Sequence, residues 1–378
     1  GEDIYSKGDY IGFQGIEKYY EKKLKGKKGI NYHQVDALGR DVGILMDRNP
    51  VPSIPGKDIY LNIDYDLQSK AENLLDGQKG AIVIVDSKNG EILSLVSKPD
   101  FLLEDFSAGM DFDIWDSYSK DSSRPLFNRA LQGIYPPGSS FKLLTVIIAL
   151  ENNLINPKKN FFCSGKYEFG DREFGCWMET GHGKLNLSSA IIQSCNVYFY
   201  EIAQMISIDL WSNYANKFNF GKFTNIDFPS ESKGLIANRN YMNKKYGRWG
   251  WAGGSLLHLS IGQGDLLVTP LQMAVFASVL ASKGNYIQPK IANIENKEDI
   301  LNKIKLKEST WDFLHKTMFD VVNDNQGTAY DPSLIKLNIE SYGKTGTAEN
   351  AHGEPHAWFV GFAKKNDKNI SLSIIVEN

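Results

Sequence analysis

The chain reads as an α+β protein built on a central antiparallel sheet flanked by helices, and three observations predict it. Ala81-Ile82-Val83-Ile84-Val85-Asp86 and Glu91-Ile92-Leu93-Ser94-Leu95-Val96 flank the turn Ser87-Lys88-Asn89-Gly90, which is a hairpin signal. Near the other end, Ala357-Trp358-Phe359-Val360-Gly361-Phe362 and Ile370-Ser371-Leu372-Ser373-Ile374-Ile375-Val376 flank a second polar turn over residues 364–369. The longer helical patterns, 197–218 and 270–282, lie between them. Strands at both ends with helices between point to segregated rather than alternating elements.

Taken in order, residues 1–57 are polar, with many Lys and Tyr, and predict one short helix over 16–24. Val51-Pro52-Ser53-Ile54-Pro55-Gly56 reads as a boundary, which separates 1–57 from a main domain over 58–378. Residues 67–75 predict an amphipathic helix, followed by the first hairpin. Pro136-Pro137-Gly138 forces a turn, and a buried helix starts near Ser139 and runs through the apolar stretch 141–150. The 378 residues are 42% hydrophobic and 23% charged, ordinary for a folded globular protein. A net charge of −3 gives no electrostatic basis for nucleic-acid binding. The apolar run 143–150 is too short to span a bilayer. Because Gly1 opens on a stretch that reads like the interior of a protein, a membrane anchor preceding it is expected.

Three short segments carry chemistry. Ser139-Ser140-Phe141-Lys142 puts a hydroxyl and an amine on one face of a helical turn. Serine is a poor nucleophile until a base takes its proton, and lysine is a base only when neutral. Burial and a second cation, here Lys344, both favour the neutral amine. Ser194-Cys195-Asn196 offers a proton shuttle in Ser194 and, in Asn196, an amide to hold Lys142 and bind substrate. Lys344-Thr345-Gly346-Thr347 predicts a strand whose edge faces an extended peptide. Here Gly346 leaves room for substrate backbone, and Lys344, Thr345 and Thr347 suit a carboxylate. The Thr347 amide pairs with that of Ser139 as an oxyanion hole. Each segment alone has a plain alternative: a serine cap, a polar turn, an edge strand guarded by lysine.

A fourth group is Cys163, Cys176, His182 and Cys195, spaced by 13, 6 and 13 residues in a glycine-rich window. Three cysteines and a histidine form a complete tetrahedral zinc set. A Cys163–Cys176 disulfide and simple burial are the alternatives. Zinc on Cys195 would hold Ser194 and Asn196 from behind, since neighbours in an extended segment face opposite ways. His352, His356 and the tryptophans of 249–251 read as loop, supporting and groove or packing residues.

Ser-x-x-Lys, Ser-x-Asn and Lys-Thr-Gly in this order are the signature of penicillin-binding proteins and serine β-lactamases. The chain resembles the penicillin-binding transpeptidases, most closely the class B, cell-elongation group of penicillin-binding protein 2. Further segments carry the likeness: Arg124-Pro125-Leu126-Phe127-Asn128-Arg129-Ala130, Tyr135-Pro136-Pro137-Gly138-Ser139, Ile261-Gly262-Gln263-Gly264, Thr269-Pro270-Leu271-Gln272 and the run from His356 to Phe362. Gly15-Ile16-Glu17-Lys18-Tyr19-Tyr20-Glu21 and Asp36-Ala37-Leu38-Gly39-Arg40 look like part of the family's pedestal.

The resemblance implies a D,D-transpeptidase in which Ser139 attacks a stem peptide ending in D-Ala-D-Ala. An amine then resolves the acyl-enzyme as a cross-link. β-Lactams would acylate Ser139, and the chemistry needs no metal. It implies an anchor in the bacterial inner membrane with the domain on the periplasmic face, and partners of the RodA-like polymerase and MreC-like scaffold type. Nothing resembles a glycosyltransferase domain, and the C-terminal helix usual in the family is not seen before Asn378. A D,D-carboxypeptidase, a β-lactamase or an acylated sensor are the other readings.

Overall fold

The computed structural model describes residues 5, 9–107, 111–248, 250–251, 253–293, 300–350 and 353–378. By contacts the chain divides into two units, Gly1–Leu61 with Asp227–Pro229 and Ala292–Glu295, and the remainder. In the smaller unit the expected helix runs Gly15–Leu24 and buries Tyr20, whose hydroxyl donates to Asp227. A hairpin pairs His33–Val35 with Asp41–Ile44. The Asp36 carboxylate closes its turn by accepting from the Leu38 and Arg40 amides.

The larger unit holds a five-stranded antiparallel sheet. Its strands are β1 (Lys79–Asp86), β2 (Ile92–Lys98), β3 (Glu340–Ala348), β4 (His356–Lys365) and β5 (Lys368–Glu377), in the order β3-β4-β5-β1-β2. The two predicted hairpins therefore join through β5 and β1, with Leu372 opposite Ile84. The second turn is tighter than the sequence implied. Only Asn366 and Asp367 separate β4 from β5, and Asn366 takes the positive φ the reversal needs.

Alternation along the strands feeds two cores. Ile82, Ile84, Leu372, Ile374 and Val376 pack against helix α1 (Tyr65–Leu74), through Ala71 and Leu67. Helix α2 (Lys142–Glu151) is buried over its first eight residues, and Phe141, just before it, packs on Phe220 at 4.9 Å. The expected helix over 197–218 is two helices, α3 (Asn196–Ala203) and α4 (Ile208–Lys217). Met205 and Ile206 sustain the apolar pattern across the break, while the Ser207 hydroxyl caps α4 by accepting from the Leu210 amide. Helix α5 (Pro270–Ala281) lies along β5, β1 and β4, and α6 (Glu308–Asn323) along β3. Thr269 and Gln272 close a reciprocal capping box at the start of α5. Among the described residues no helix is long and apolar enough to cross a membrane.

Candidate active site

The serine-bearing turn is a short 3₁₀ segment, Gly138–Phe141, which passes into α2 at Lys142. In a 3₁₀ turn residues i and i+3 eclipse, so Ser139 and Lys142 stack on one face. Gly138 has φ +56, and a Cβ there would land on the Thr347 carbonyl. The lead-in is bolted to the sheet. Trp358 Nε1 donates to the Pro136 carbonyl at 3.0 Å, and the Tyr135 ring meets His356 and Trp358 edge-on. The Tyr135 hydroxyl and Arg129 Nε both donate to Glu377, the latter at 3.1 Å.

Lys142 and Lys344 are wholly buried. Lys142 Nζ donates to the Ser194 carbonyl at 2.8 Å, to Asn196 Oδ1 at 2.7 Å and, more weakly, to Ser194 Oγ at 3.4 Å. Lys344 Nζ donates to the same Ser194 Oγ at 2.9 Å. Burial brings Lys142 down to about 8, opposed by the sulfurs of Cys195 and Cys176. Burial and then the charge of Lys142 push Lys344 well below its ordinary range. Desolvation thus does most of what the sequence reading asked of a second cation, and the repulsion falls on Lys344.

Ser194 sits at φ +55, a left-handed conformation that costs a serine roughly 1–2 kcal/mol. It directs both its carbonyl and its hydroxyl at the lysines. Cys195 turns the other way, is fully buried, and is the N-cap of α3. There it meets Cys163, Cys176 and His182, whose ligand atoms all lie within 4.8 Å of one another. His182 Nδ1 is 3.5 Å from both the Cys163 and the Cys176 sulfur. A tetrahedral ion with Zn–S of about 2.3 Å and Zn–N of about 2.0–2.1 Å requires an S···N edge of roughly 3.5 Å, so the set fits zinc. All three cysteines are free thiols. The Asn196 amide N–H donates to the Cys176 sulfur at 3.4 Å, and Asn196 Nδ2 to the Gly175 carbonyl at 3.3 Å. The cluster therefore touches the Ser194–Asn196 motif through both Cys195 and Cys176.

β3 is an edge strand. Lys344, Gly346 and Ala348 share its buried face, while Thr345 and Thr347 face the other way. The buried position of Lys344 sets aside the alternative of a surface guard. The room left by Gly346 is taken by the protein itself, since a Cβ there would sit 2.8 Å from the Pro137 carbonyl and 3.0 Å from Trp358 Cβ. Gly346 thus lets β3 close on the serine turn, rather than admitting substrate backbone as the sequence implied.

Several contacts were not visible in the sequence. Thr328 Oγ1 lies 2.6 Å from Thr345 Oγ1, Gln263 Nε2 donates to the Thr347 carbonyl at 3.2 Å, and Trp177 Nε1 donates to the Gln193 carbonyl at 3.0 Å. His356 caps the end of β4, where its Nδ1 accepts from the Asn378 amide. Trp251 donates to Asn243 and lies under the Arg239 guanidinium. Trp249 and His352 lie outside the described residues.

The sequence model described as the penicillin binding protein transpeptidase domain matches residues 80–378. The chain belongs to this family. A second model, the penicillin-binding protein dimerisation domain, matches residues 1–61. The chain is 33% identical to the peptidoglycan D,D-transpeptidase MrdA of Acinetobacter baumannii, over 100% of this chain and 59% of that protein. It is 29% identical to MrdA of Escherichia coli K12, over 97% of this chain and 62% of that protein. It spans about three fifths of the length of these curated relatives. Among solved structures, Pseudomonas aeruginosa PBP2 in complex with WCK 5153 superposes with a TM-score of 0.84 at 34% identity, covering 97% of this chain and 79% of that one. Helicobacter pylori PBP2 in complex with MreC gives a TM-score of 0.88 at 33% identity, covering 97% and 68%.

Proposed function

We propose that this penicillin-binding family member is a peptidoglycan D,D-transpeptidase that works through an acyl-enzyme on Ser139. The observation that carries the reading is the convergence of two wholly buried lysines on Ser194, with Lys142 one 3₁₀ turn after Ser139, whose carbonyl accepts from the Lys142 amide. Neutral Lys142 takes the Ser139 proton as Oγ attacks the penultimate D-alanine carbonyl. The amides of Ser139 and Thr347 receive the oxyanion, where preorganised donors are worth most. Ser194, bonded to Lys344, relays a proton to the leaving nitrogen, and terminal D-alanine departs. An amine of a second stem peptide then attacks the ester. A new amide forms and the Ser139 hydroxyl is restored. Thr345 and Thr347, on the open face of β3, bind the substrate carboxylate.

Cys163, Cys176, His182 and Cys195 hold a zinc ion in this reading. Its role is structural: it ties down the segment that carries Ser194 and Asn196. Residues 1–57 form the pedestal, and the protein acts at the periplasmic face of the inner membrane. There a RodA-like polymerase and an MreC-like scaffold are its partners.

Intact-mass measurement with benzylpenicillin tests the reaction. A long-lived adduct on Ser139, lost in Ser139→Ala of unchanged thermal stability, is expected. Rapid hydrolysis of the adduct would favour a β-lactamase or carboxypeptidase, and absence of any adduct would overturn acyl transfer.

A further inference from the structure

We propose that Gln263 is a positioning residue for the acylation step, and that with Gly262 it braces both halves of the oxyanion hole. The proposal rests on the acyl-transfer reading above. Ser139 and Thr347 come from opposite ends of the domain, and two consecutive residues of a third segment reach both. The Gly138 amide donates to the Gly262 carbonyl at 2.9 Å, which fixes the start of the serine turn. One residue on, Gln263 Nε2 donates to the Thr347 carbonyl at 3.2 Å.

Close packing makes the arrangement specific. Gly262 has φ +78, and a Cβ on it would land on the Gly138 carbonyl, just as a Cβ on Gly138 would land on that of Thr347. The three backbones are therefore stacked in contact. The brace is itself held: the Ile261 and Gln263 amides donate to the His258 carbonyl, and Thr145 Oγ1 of α2 donates to the Ser260 carbonyl at 2.9 Å. Gln263 is 7% exposed.

The bond to Thr347 governs the oxyanion donor because of strand geometry. In an antiparallel ladder the N–H and C=O of one residue point to the same side. The Thr347 carbonyl, reached by Gln263 rather than by β4, faces the free edge of β3, so its amide faces that edge too. Gln263 occupies the acceptor and leaves the N–H as the free group. A neutral donor suits this place: a lysine or arginine would add a third cation near Lys142 and Lys344, and an ionised carboxylate presents acceptors only.

The test uses Gln263→Glu and Gln263→Leu, with single-turnover acylation by a chromogenic cephalosporin separating reversible binding from the acylation rate constant. Losing an oxyanion donor outright costs about 10²–10³-fold, so a loosened one should slow acylation roughly 10–100-fold, with reversible binding changed less than about threefold. The Glu variant adds a readout that a packing role would not move. Ionised, it cannot donate to Thr347; protonated, it can. Its rate relative to wild type should climb as pH falls from about 8 to 5. The other charged and titratable groups around this segment, Lys142, Lys344 and His258, are common to both proteins, and a pull of the new carboxylate on the lysines would show instead as a displaced bend in the variant's own pH profile.

Wild-type acylation rates in Gln263→Leu, or a slow Gln263→Glu whose ratio is flat with pH, would overturn the brace while leaving acyl transfer standing. A Gln263→Leu chain that does not fold leaves the decision to the isosteric Glu variant. Failure of the wild type to acylate would overturn acyl transfer and the brace with it.

Discussion

Lys142 offers a prediction with a magnitude. Its amine is wholly buried, and burial lowers it from 10.5 to about 8. At about 1.4 kcal/mol per unit, the shift amounts to about 3 kcal/mol of preference for the neutral form. At pH 7 about one amine in ten is then ready to act as base, against about one in 3,000 for an ordinary lysine, a gain of roughly 300-fold. The acylation rate should therefore rise about tenfold per unit from pH 6, bend near pH 8 and level off above it. Stopped-flow acylation by a chromogenic cephalosporin, buffered from pH 6 to 10, measures this. A rate indifferent to pH over that range, or one still rising tenfold per unit beyond pH 10, would refute Lys142 as the neutral base. Stability carries the matching sign. Between about 8 and 10.5 the unfolded chain holds a proton that the folded one has released, so this group makes unfolding harder as pH rises through that window. The difference in urea-unfolding free energy between wild type and Lys142→Met should grow by about 3 kcal/mol across it.

Gly346→Ala should cost about 1–3 kcal/mol in urea unfolding and slow acylation at least about tenfold, because its Cβ meets the Pro137 carbonyl at 2.8 Å and drives β3 from the serine turn. Unchanged unfolding and acylation would show that the strand yields freely. Glu377→Gln leaves the buried Arg129 guanidinium without its anion. A loss of about 2–3 kcal/mol in the same assay is expected, below the full cost for a buried pair because Glu377 is 18% exposed. Cys163→Ser should purify with less than about half an equivalent of zinc and a lowered melting temperature. Trp177, whose ring centroid is 5.2 Å from that of His182, should report metal removal as a change in fluorescence. A wild type free of zinc with all thiols titratable would end the structural-metal reading.

The sheet was legible because its signals are local. The unbroken apolar run Ala81–Val85, the alternation in Ile370–Ile374 and the polar turns beside them are properties of neighbours along the chain. The split between α3 and α4 was not, because Met205 and Ile206 are apolar for packing while Ser207 speaks only through its cap. In the site, the motif residues could be named from the sequence. The contacts of Gln263, Thr328 and Trp177 could not, because each acts through a partner in another element, 84 residues away in the case of Gln263 and Thr347. The four Cys and His ligand candidates stood out because such side chains are rare in the chain. What Gly346 makes room for depends on a backbone some 200 residues distant, and no local pattern records that.

The sheet order also bears on when the protein becomes active. β5 ends at Glu377, yet it lies in the middle of the sheet and is the strand that pairs with both β4 and β1. Its partner β1 is nearly 300 residues earlier, so this pairing closes one of the longest loops the chain allows, and such pairings form slowly. Until β5 inserts, the β3–β4 hairpin that carries Lys344 has no strand pairing with the first hairpin and is held through α5, α6 and the serine turn instead. Glu377 at the tip of β5 is likewise not there to anchor Arg129 and Tyr135 ahead of the nucleophile. In the acyl-transfer reading, a chain synthesised only as far as β4 lacks this anchored site, and labelling by β-lactams should begin only once β5 is in place.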